Sequence, residues 1–171
     1  MEHEHDHHQA AAEGTSYWPL FGILGSILLV TGVTWWFASP HSIAEFFRWF
    51  MGYFFLVFGA FKILQSKEFA HVFAEYDIVA KRWLPYGFLY PLIELALAAL
   101  FLFNAFIGTA SVIDLVIMTI GTIGVVSAMR GKRKYRCACL GAVVNLPLST
   151  VSLIEDIGMG GLGLLMLFIH S

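Results

Sequence analysis

Five stretches of the chain are almost entirely apolar, and most of them are long enough to cross a membrane as a helix. They lie at about 18–37, 46–64, 86–106, 112–129 and 157–170. A spanning helix needs roughly 20 mostly apolar residues to cross about 30 Å of hydrocarbon. The pattern therefore predicts an all-α, polytopic membrane bundle.

The placement of aromatic and small residues refines this bundle. Tyr17 and Trp18 precede or open the first stretch and Trp35 and Trp36 close it, as is typical of membrane–water interfaces. Glycines recur in the second and fourth stretches, where small residues let neighbouring helices approach closely. We expect the last four spans to form a four-helix core, with the first span packed against its side.

A polar segment at 66–83 interrupts the apolar pattern. Phe69, Val72, Phe73 and Tyr76 recur in it at helical spacing. An amphipathic segment of this kind predicts a short helix lying on the membrane surface.

The first 16 residues form a polar tail that we expect to be disordered. Acidic residues alternate there with His3, His5, His7 and His8. A short His-rich tract of this kind also binds Zn, Cu or Ni loosely.

Composition and charge agree with a membrane location. The 171 residues are 58% hydrophobic and only 13% charged, whereas a soluble domain has roughly one quarter charged residues. Basic residues concentrate after the second and fourth spans, and the positive-inside rule places both loops and the N-terminus in the cytoplasm. We expect a multi-pass protein of the cell (inner or plasma) membrane, with the lipid bilayer and no nucleic acid as partner.

Candidate chemistry lies in residues 130–156, which we call the dithiol segment. It contains both cysteines of the chain, Cys137 and Cys139, separated by one residue. Its apolar part, 142–153, is interrupted by Asn145 and Pro147. That part is either a re-entrant or interfacial segment or the first half of a long broken helix. Half of the Lys and Arg residues lie around the cysteines: Arg130, Lys132, Arg133, Lys134 and Arg136.

The two cysteines permit three interpretations. As a redox pair they would close a small, strained ring, because disulfides favour Cα separations of roughly 4.4–6.8 Å, and strain makes a disulfide easier to reduce. Nearby basic residues would stabilise a thiolate. As a soft-metal site, Cys137 and Cys139 would hold Cu(I) or another thiophilic ion, with the histidine tail as a further ligand source. Otherwise they are ordinary thiols in a reducing compartment.

Glu155 and Asp156 close the dithiol segment. We expect the chain to fold back at Pro147, so that these carboxylates face Cys137 and Cys139 and accept protons during thiol exchange. Alternatively, they only complement the positive end of the last helix.

Lys62 and Glu94 are ionisable residues inside or near the end of apolar spans. An unpaired charge at the middle of a span costs roughly 2.5–3.5 kcal/mol. We expect Lys62 and Glu94 to lie within contact reach of each other, as a structural or functional pair. The alternative for Lys62 is that its side chain extends to the interface.

Several of these residues also suggest a family. A helix end with Gly59 and Lys62, a Tyr76-Asp77 pair and a helix opening with Tyr90-Pro91 and Glu94 resemble the MauE/DoxX superfamily of small integral membrane proteins. The dithiol segment is similar to the redox-associated, MauE-like branch, and the resemblance covers roughly residues 46–168. It implies a four-helix core and, for MauE, disulfide chemistry in the maturation of methylamine dehydrogenase.

Two classes of function follow. The first is a membrane thiol–disulfide protein or electron relay, with a thiol redox protein as partner. The second is a non-catalytic heavy-metal (copper-type) binding or transport accessory protein, with a metal carrier as partner. A purely structural role stays open, and the sequence assigns neither a cofactor nor enzymatic activity.

Overall fold

The computed structural model describes residues 18–130 and 148–170, and this part of the chain contains helices and the turns that join them, without a strand. The predicted all-α membrane bundle is confirmed. The helices, in chain order, are α1 (Trp18–Phe37), α2 (Ile43–Leu64), α3 (Ser66–Tyr76), α4 (Pro85–Leu102), α5 (Ile107–Arg130) and α6 (Leu148–His170).

Five of the described helices, all except α3, are long and apolar enough to cross a membrane. Helices α1, α2 and α4 begin close to the residues that hydropathy indicates, and α5 begins at Ile107 rather than at Val112. The largest difference is in α6, which begins at Leu148 rather than at Ile157, although its apolar window is Ser152–Ile169. The stretch after Pro147 is therefore helical and continuous with the last span.

The core consists of α2, α4, α5 and α6. The closest associations are those of α5 with α6 and of α2 with α4, and α1 packs against α2. Aromatic rings fill the α2–α4 half, where Phe54 stacks on Phe58 and Phe55 stacks on Phe101. Met118, Met159 and Met166 are buried in the α5–α6 half.

A buried arginine fastens the start of α2 to the end of α4. Ser42 caps α2 by accepting a hydrogen bond from the Glu45 amide at 3.1 Å, and Glu45 pairs with Arg48 at 2.6 Å. Arg48 donates to the carbonyl oxygens of Phe101 and Leu102. The last carbonyl groups of a helix lack hydrogen-bond donors within the helix. Arg48 therefore supplies these two carbonyl oxygens with hydrogen bonds that hydrocarbon could not provide.

Helix α3 buries its apolar side against the bundle. Phe69 and Phe73 contact the ring of Tyr90 on α4, with centroids 6.0 and 4.7 Å apart. Gly87 permits the close approach, because a Cβ there would lie 3.1 Å from the Ala70 Cα. The amphipathic pattern at 66–83 is thus a helix that ends at Tyr76, with protein rather than lipid against its apolar face.

Gly124 of α5 provides a test of this packing. A Cβ at Gly124 would lie 2.9 Å from the Tyr76 carbonyl oxygen and 3.2 Å from the Asp77 Cα, and backbone atoms yield little. We expect Gly124→Ala to lower the free energy of unfolding by about 1–3 kcal/mol, as overpacking does. Thermal denaturation in detergent measures the change.

Gly108→Ala, on the same helix, is the matched control, because a Cβ at Gly108 meets no atom within 4 Å. Equal melting temperatures for the two variants would contradict the close packing of α5 against the Tyr76–Asp77 turn.

Candidate functional site

Three helices meet at Lys62. Its Nζ lies 2.5 Å from Glu94 Oε1 on α4 and 2.9 Å from Glu155 Oε1 on α6. The side chains of Lys62, Glu94 and Glu155 are 3%, 0% and 5% exposed. The expected contact between Lys62 and Glu94 is present, and Glu155 joins it. We call Lys62, Glu94, Glu155 and Asp156 the lysine–acid cluster.

A glycine one turn before Lys62 brings α2 and α4 together. A Cβ at Gly59 would lie 3.0 Å from Leu95 Cδ2 and 3.4 Å from Glu94 Cβ. A larger residue would require the Leu95 side chain to move at the level where the lysine reaches Glu94. The helical spacing of Gly59 and Lys62 therefore gives both the close approach and the ion pair.

Two aromatic rings also lie close to the ammonium group. Lys62 Nζ lies 5.1 Å from the Tyr90 ring centroid and 5.7 Å from that of Phe69. Aromatic faces attract a cation within about 6 Å, and more strongly where water is excluded. Helix α3, through Phe69, therefore contributes to holding the charge in place.

Asp156 occupies the α5 side of the cluster. It is 7% exposed and lies so close to α5 that a Cβ at Gly121 would be 2.8 Å from Asp156 Oδ2. A cavity of about 10 Å³ lies among Lys62, Glu155, Asp156 and Ser152. This is near the roughly 10–15 Å³ that one water molecule needs, and polar groups line it.

The charges of the lysine–acid cluster do not balance. Within the described residues, one ammonium group faces three carboxyl groups, those of Glu94, Glu155 and Asp156. In an apolar interior, each charge is stable only with partners that offset the loss of water. The surplus of carboxyl groups gives the cluster a capacity for protons.

Asp114 is a separate buried acid that the sequence interpretation did not single out. It is 0% exposed on α5, and neither carboxyl oxygen has a hydrogen-bond partner within the described part of the chain. Gly163 of α6 leaves it room, because a Cβ there would clash with the carboxylate. Asp114 thus places a buried carboxyl group in the α5–α6 contact, apart from the lysine–acid cluster.

Asp77 forms the turn that follows α3. Its Oδ1 accepts hydrogen bonds from the amides of Val79 at 2.9 Å and Ala80 at 2.8 Å. Burial raises the pKa of Asp77 above its ordinary value, against the smaller opposite effect of these two amides. The Tyr76-Asp77 pair therefore has a structural role, in shaping the link between α3 and α4.

Several candidate residues lie outside the part of the chain that the structure describes. Cys137 and Cys139 lie outside the described residues, as do His3, His5, His7 and His8. Within the described part of the chain, no three His, Cys, Asp or Glu side chains form a group that could hold a metal ion. The contact of Glu155 and Asp156 with the cysteines stays a prediction.

Sequence reasoning missed the contact between Glu155 and Lys62, although a signal for it exists. Ser152, Glu155, Asp156 and Met159 are all buried and recur at helical spacing. The pattern becomes visible only when α6 is started at Leu148, because it then forms one continuous inward face.

These features define a polytopic membrane protein with a lysine–acid cluster buried among its spans. The chain belongs to the family described as "Methylamine utilisation protein MauE", which matches residues 40–169. The match covers α2 to α6 and leaves out α1. No curated protein and no solved structure matches the chain.

The ion pairs of the lysine–acid cluster lead to a prediction about stability. We expect Lys62→Met to lower the free energy of unfolding by about 3–5 kcal/mol, because it leaves Glu94 and Glu155 buried without their cation. Adding Glu94→Gln and Glu155→Gln should recover much of that loss, since the triple variant no longer buries the two carboxylates that lost their ammonium partner. Thermal unfolding and the yield of folded protein in detergent measure both effects.

Lys67→Met is the matched control, because Lys67 is exposed on α3. The ion-pair interpretation would be wrong if Lys62→Met and Lys67→Met were equally stable. It would also be wrong if the triple variant had a lower free energy of unfolding than Lys62→Met alone.

Asp77 generates a prediction about pH. Because its pKa is raised in the folded state, its contribution to stability is present below the ordinary carboxyl pKa and is lost as pH rises through the raised value. Asn at this position keeps an acceptor for Val79 and Ala80 but has no proton to lose. We expect Asp77→Asn to exceed the wild type in stability increasingly as the pH rises above about 4, the ordinary carboxyl pKa.

Melting temperatures over that pH range measure the difference. Asp77→Ala, which loses both hydrogen bonds, should be less stable than Asp77→Asn at every pH, by roughly 1 kcal/mol per bond. A constant difference between wild type and Asp77→Asn would contradict the raised pKa.

Proposed function

We propose that the protein is a membrane thiol–disulfide carrier whose working residues are Cys137 and Cys139, supported by the acids of the lysine–acid cluster. Membership of the MauE family supports a role linked to methylamine utilisation. In this proposal the protein exchanges electrons with a thiol redox protein during the maturation of a methylamine-oxidising enzyme, as the family resemblance implies.

The contact between Glu155 and Lys62 is the observation that carries the proposal. The cysteines lie in the sequence that joins Arg130, the end of α5, to Leu148, the start of α6. Two turns into α6, Glu155 and Asp156 enter a buried cluster whose carboxyl groups outnumber its cation. A dithiol releases protons when it is oxidised and takes them up when it is reduced. Carboxylates close to it would accept these protons.

The chemistry is a balanced exchange. One thiolate of the pair attacks a sulfur of the partner's disulfide, forms a mixed disulfide and releases one partner thiolate. The second thiolate attacks the mixed disulfide, closes the Cys137–Cys139 disulfide and releases the other. Two electrons pass to the partner. The two protons lost by the dithiol pass through Glu155 and Asp156 to the medium, and the partner's thiolates take up two.

The basic residues of the dithiol segment favour the thiolate form and orient the protein. Positive groups near a cysteine stabilise its thiolate, which is the attacking species. Five of the ten Lys and Arg residues lie at 130–136, so the positive-inside rule places the dithiol segment on the cytoplasmic side of the cell membrane. The proposed partner is thus a cytoplasmic thiol protein.

Redox titration of the purified full-length protein tests the proposal. We expect a reversible two-electron couple, whose potential changes by about 30 mV per tenfold change in the ratio of reduced to oxidised pairs. Cys137→Ser should abolish it and leave the melting temperature close to wild type. A stoichiometric thiophilic metal in place of a redox couple would contradict the proposal and favour metal hand-over.

The role of the acids is tested by alkylation of the thiols as a function of pH. We expect the Glu155→Gln/Asp156→Asn double variant to shift the pH at which the thiols react, because in this proposal it removes the carboxylates that accept the thiol protons. Glu68→Gln, an exposed acid on α3, is the control and should leave the profile unchanged. Alkylation profiles matching a free thiol with a pKa of about 8.5 in all variants would overturn this role.

A further inference from the structure

The small cavity of the lysine–acid cluster lies where the first turns of α6 meet the last turn of α2. Lys62 lines it from α2, and Ser152, Glu155 and Asp156 line it from α6. Its volume of about 10 Å³ corresponds to roughly one water-sized sphere. The rest of its wall consists of aromatic side chains of α3 and α4 and a glycine of α5: Phe69, Phe73, Tyr76, Tyr90 and Gly121.

Ser152 indicates what this cavity holds. The residue is 6% exposed, and its hydroxyl oxygen has no hydrogen-bond partner within the described part of the chain. A buried hydroxyl group without a partner forfeits the hydrogen bonds that it makes with water in the unfolded chain. Internal water molecules in proteins occupy such places, where polar groups would otherwise lack partners.

The spacing of the three polar residues of α6 suits a bridging molecule. Ser152, Glu155 and Asp156 lie at positions i, i+3 and i+4, so they share one face of the helix with Cβ atoms roughly 5–6 Å apart. A carboxylate only accepts hydrogen bonds, whereas a hydroxyl group also donates one. Glu155 Oε1 accepts from Lys62, which leaves the other oxygen of that carboxylate to accept from a further donor.

We propose that the cavity holds a single internal water molecule, which donates hydrogen bonds to Glu155 and Asp156 and accepts one from Ser152. These three bonds are about the usual number for a buried water. An anion would meet two carboxyl groups, and no three His, Cys, Asp or Glu side chains of the described residues form a group that could hold a metal ion. The water site requires neither cysteine.

A water in this position gives the two neighbouring acids a path for protons. As Asp156 releases its proton to the water oxygen, one of the water's own hydrogens passes to Glu155, and the water is neutral again. In the thiol exchange proposed above, the two carboxyl groups would thereby share the protons that the dithiol releases. This role rests on the proposed function, whereas the water site itself does not.

Water-edited solid-state NMR of the full-length protein in lipid bilayers tests the site. Magnetisation passes from bulk water to the protein and is detected at the serine Cβ atoms, which hydroxyl exchange with a visiting water makes possible. Ser111 of α5 is the internal control, because it is buried, its hydroxyl has no partner among the described residues, and it does not line the cavity. We expect early transfer to Ser152 and none to Ser111 on the same time scale. Absence of transfer to Ser152, or equal transfer to both serines, would overturn the proposal.

The melting temperatures of Ser152→Ala and Ser111→Ala give a second, independent test. We expect Ser152→Ala to melt at a lower temperature than wild type, because the water loses one of its three partners. Ser111→Ala should melt at the same or a higher temperature, since it removes a buried hydroxyl group that has no partner among the described residues. A Ser152→Ala variant that melts no lower than wild type would indicate a dry cavity and contradict the water site.

If Ser152→Ala fails to fold, the comparison of Ser152 with Ser111 in the wild-type protein still decides. Neither measurement involves thiol exchange, so failure of the water site is distinguishable from failure of the redox titration. Alkylation of the thiols as a function of pH tests the proton path separately. A profile that shifts in Ser152→Ala but not in Ser111→Ala supports the path, and unchanged profiles in both variants overturn it.

Discussion

One lysine in an apolar bundle must be matched by acids, and the arrangement of the helices follows from that constraint. Lys62 of α2 meets Glu94 of α4 and Glu155 of α6 within hydrogen-bonding distance. Hydrocarbon offers no water to replace a missing partner, so these helices have to keep the register that holds the three groups together. Gly59 makes that register possible on α2, and Gly121 makes room for Asp156 beside it.

Helix α2 is held by charge at both ends and by aromatic packing between them. Arg48, near its start, donates to carbonyl oxygens at the end of α4, whereas Lys62, in its last turn, meets Glu94. These two contacts fix α2 and α4 as an antiparallel pair, and Phe55 and Phe101 stack between them. Because apolar side chains gain little from leaving lipid, polar contacts and close packing have to specify the arrangement. The second pair, α5 with α6, uses glycines and buried acids instead of aromatic rings.

Much of this fold could be predicted from the sequence, and the exceptions have physical reasons. Hydropathy located the spans because charges inside them are rare, and rarity also made Lys62 and Glu94 evident partners. The third partner was missed because Asn145 and Pro147 suggested a break, which put Glu155 outside the helix. An amphipathic period predicted helix α3 but did not reveal that the bundle itself covers its apolar face through Tyr90. The chemistry of Cys137 and Cys139 depends on neighbours in space, which no spacing along the chain reveals.

The order of the helices along the chain has a consequence for biogenesis. Lys62 is synthesised 32 residues before Glu94 and 93 residues before Glu155. At about 5–20 residues per second, the lysine waits on the order of 5–20 s for its last partner. During that interval α2 must remain at the insertion machinery, beside water, or enter lipid with Glu94 as its companion. Arrival of α6 therefore adds Glu155, the second carboxyl group that Lys62 contacts, together with the packing of α6 against α5. A nascent chain stalled before Glu155 would present Lys62 and Glu94 to membrane quality control without this third group.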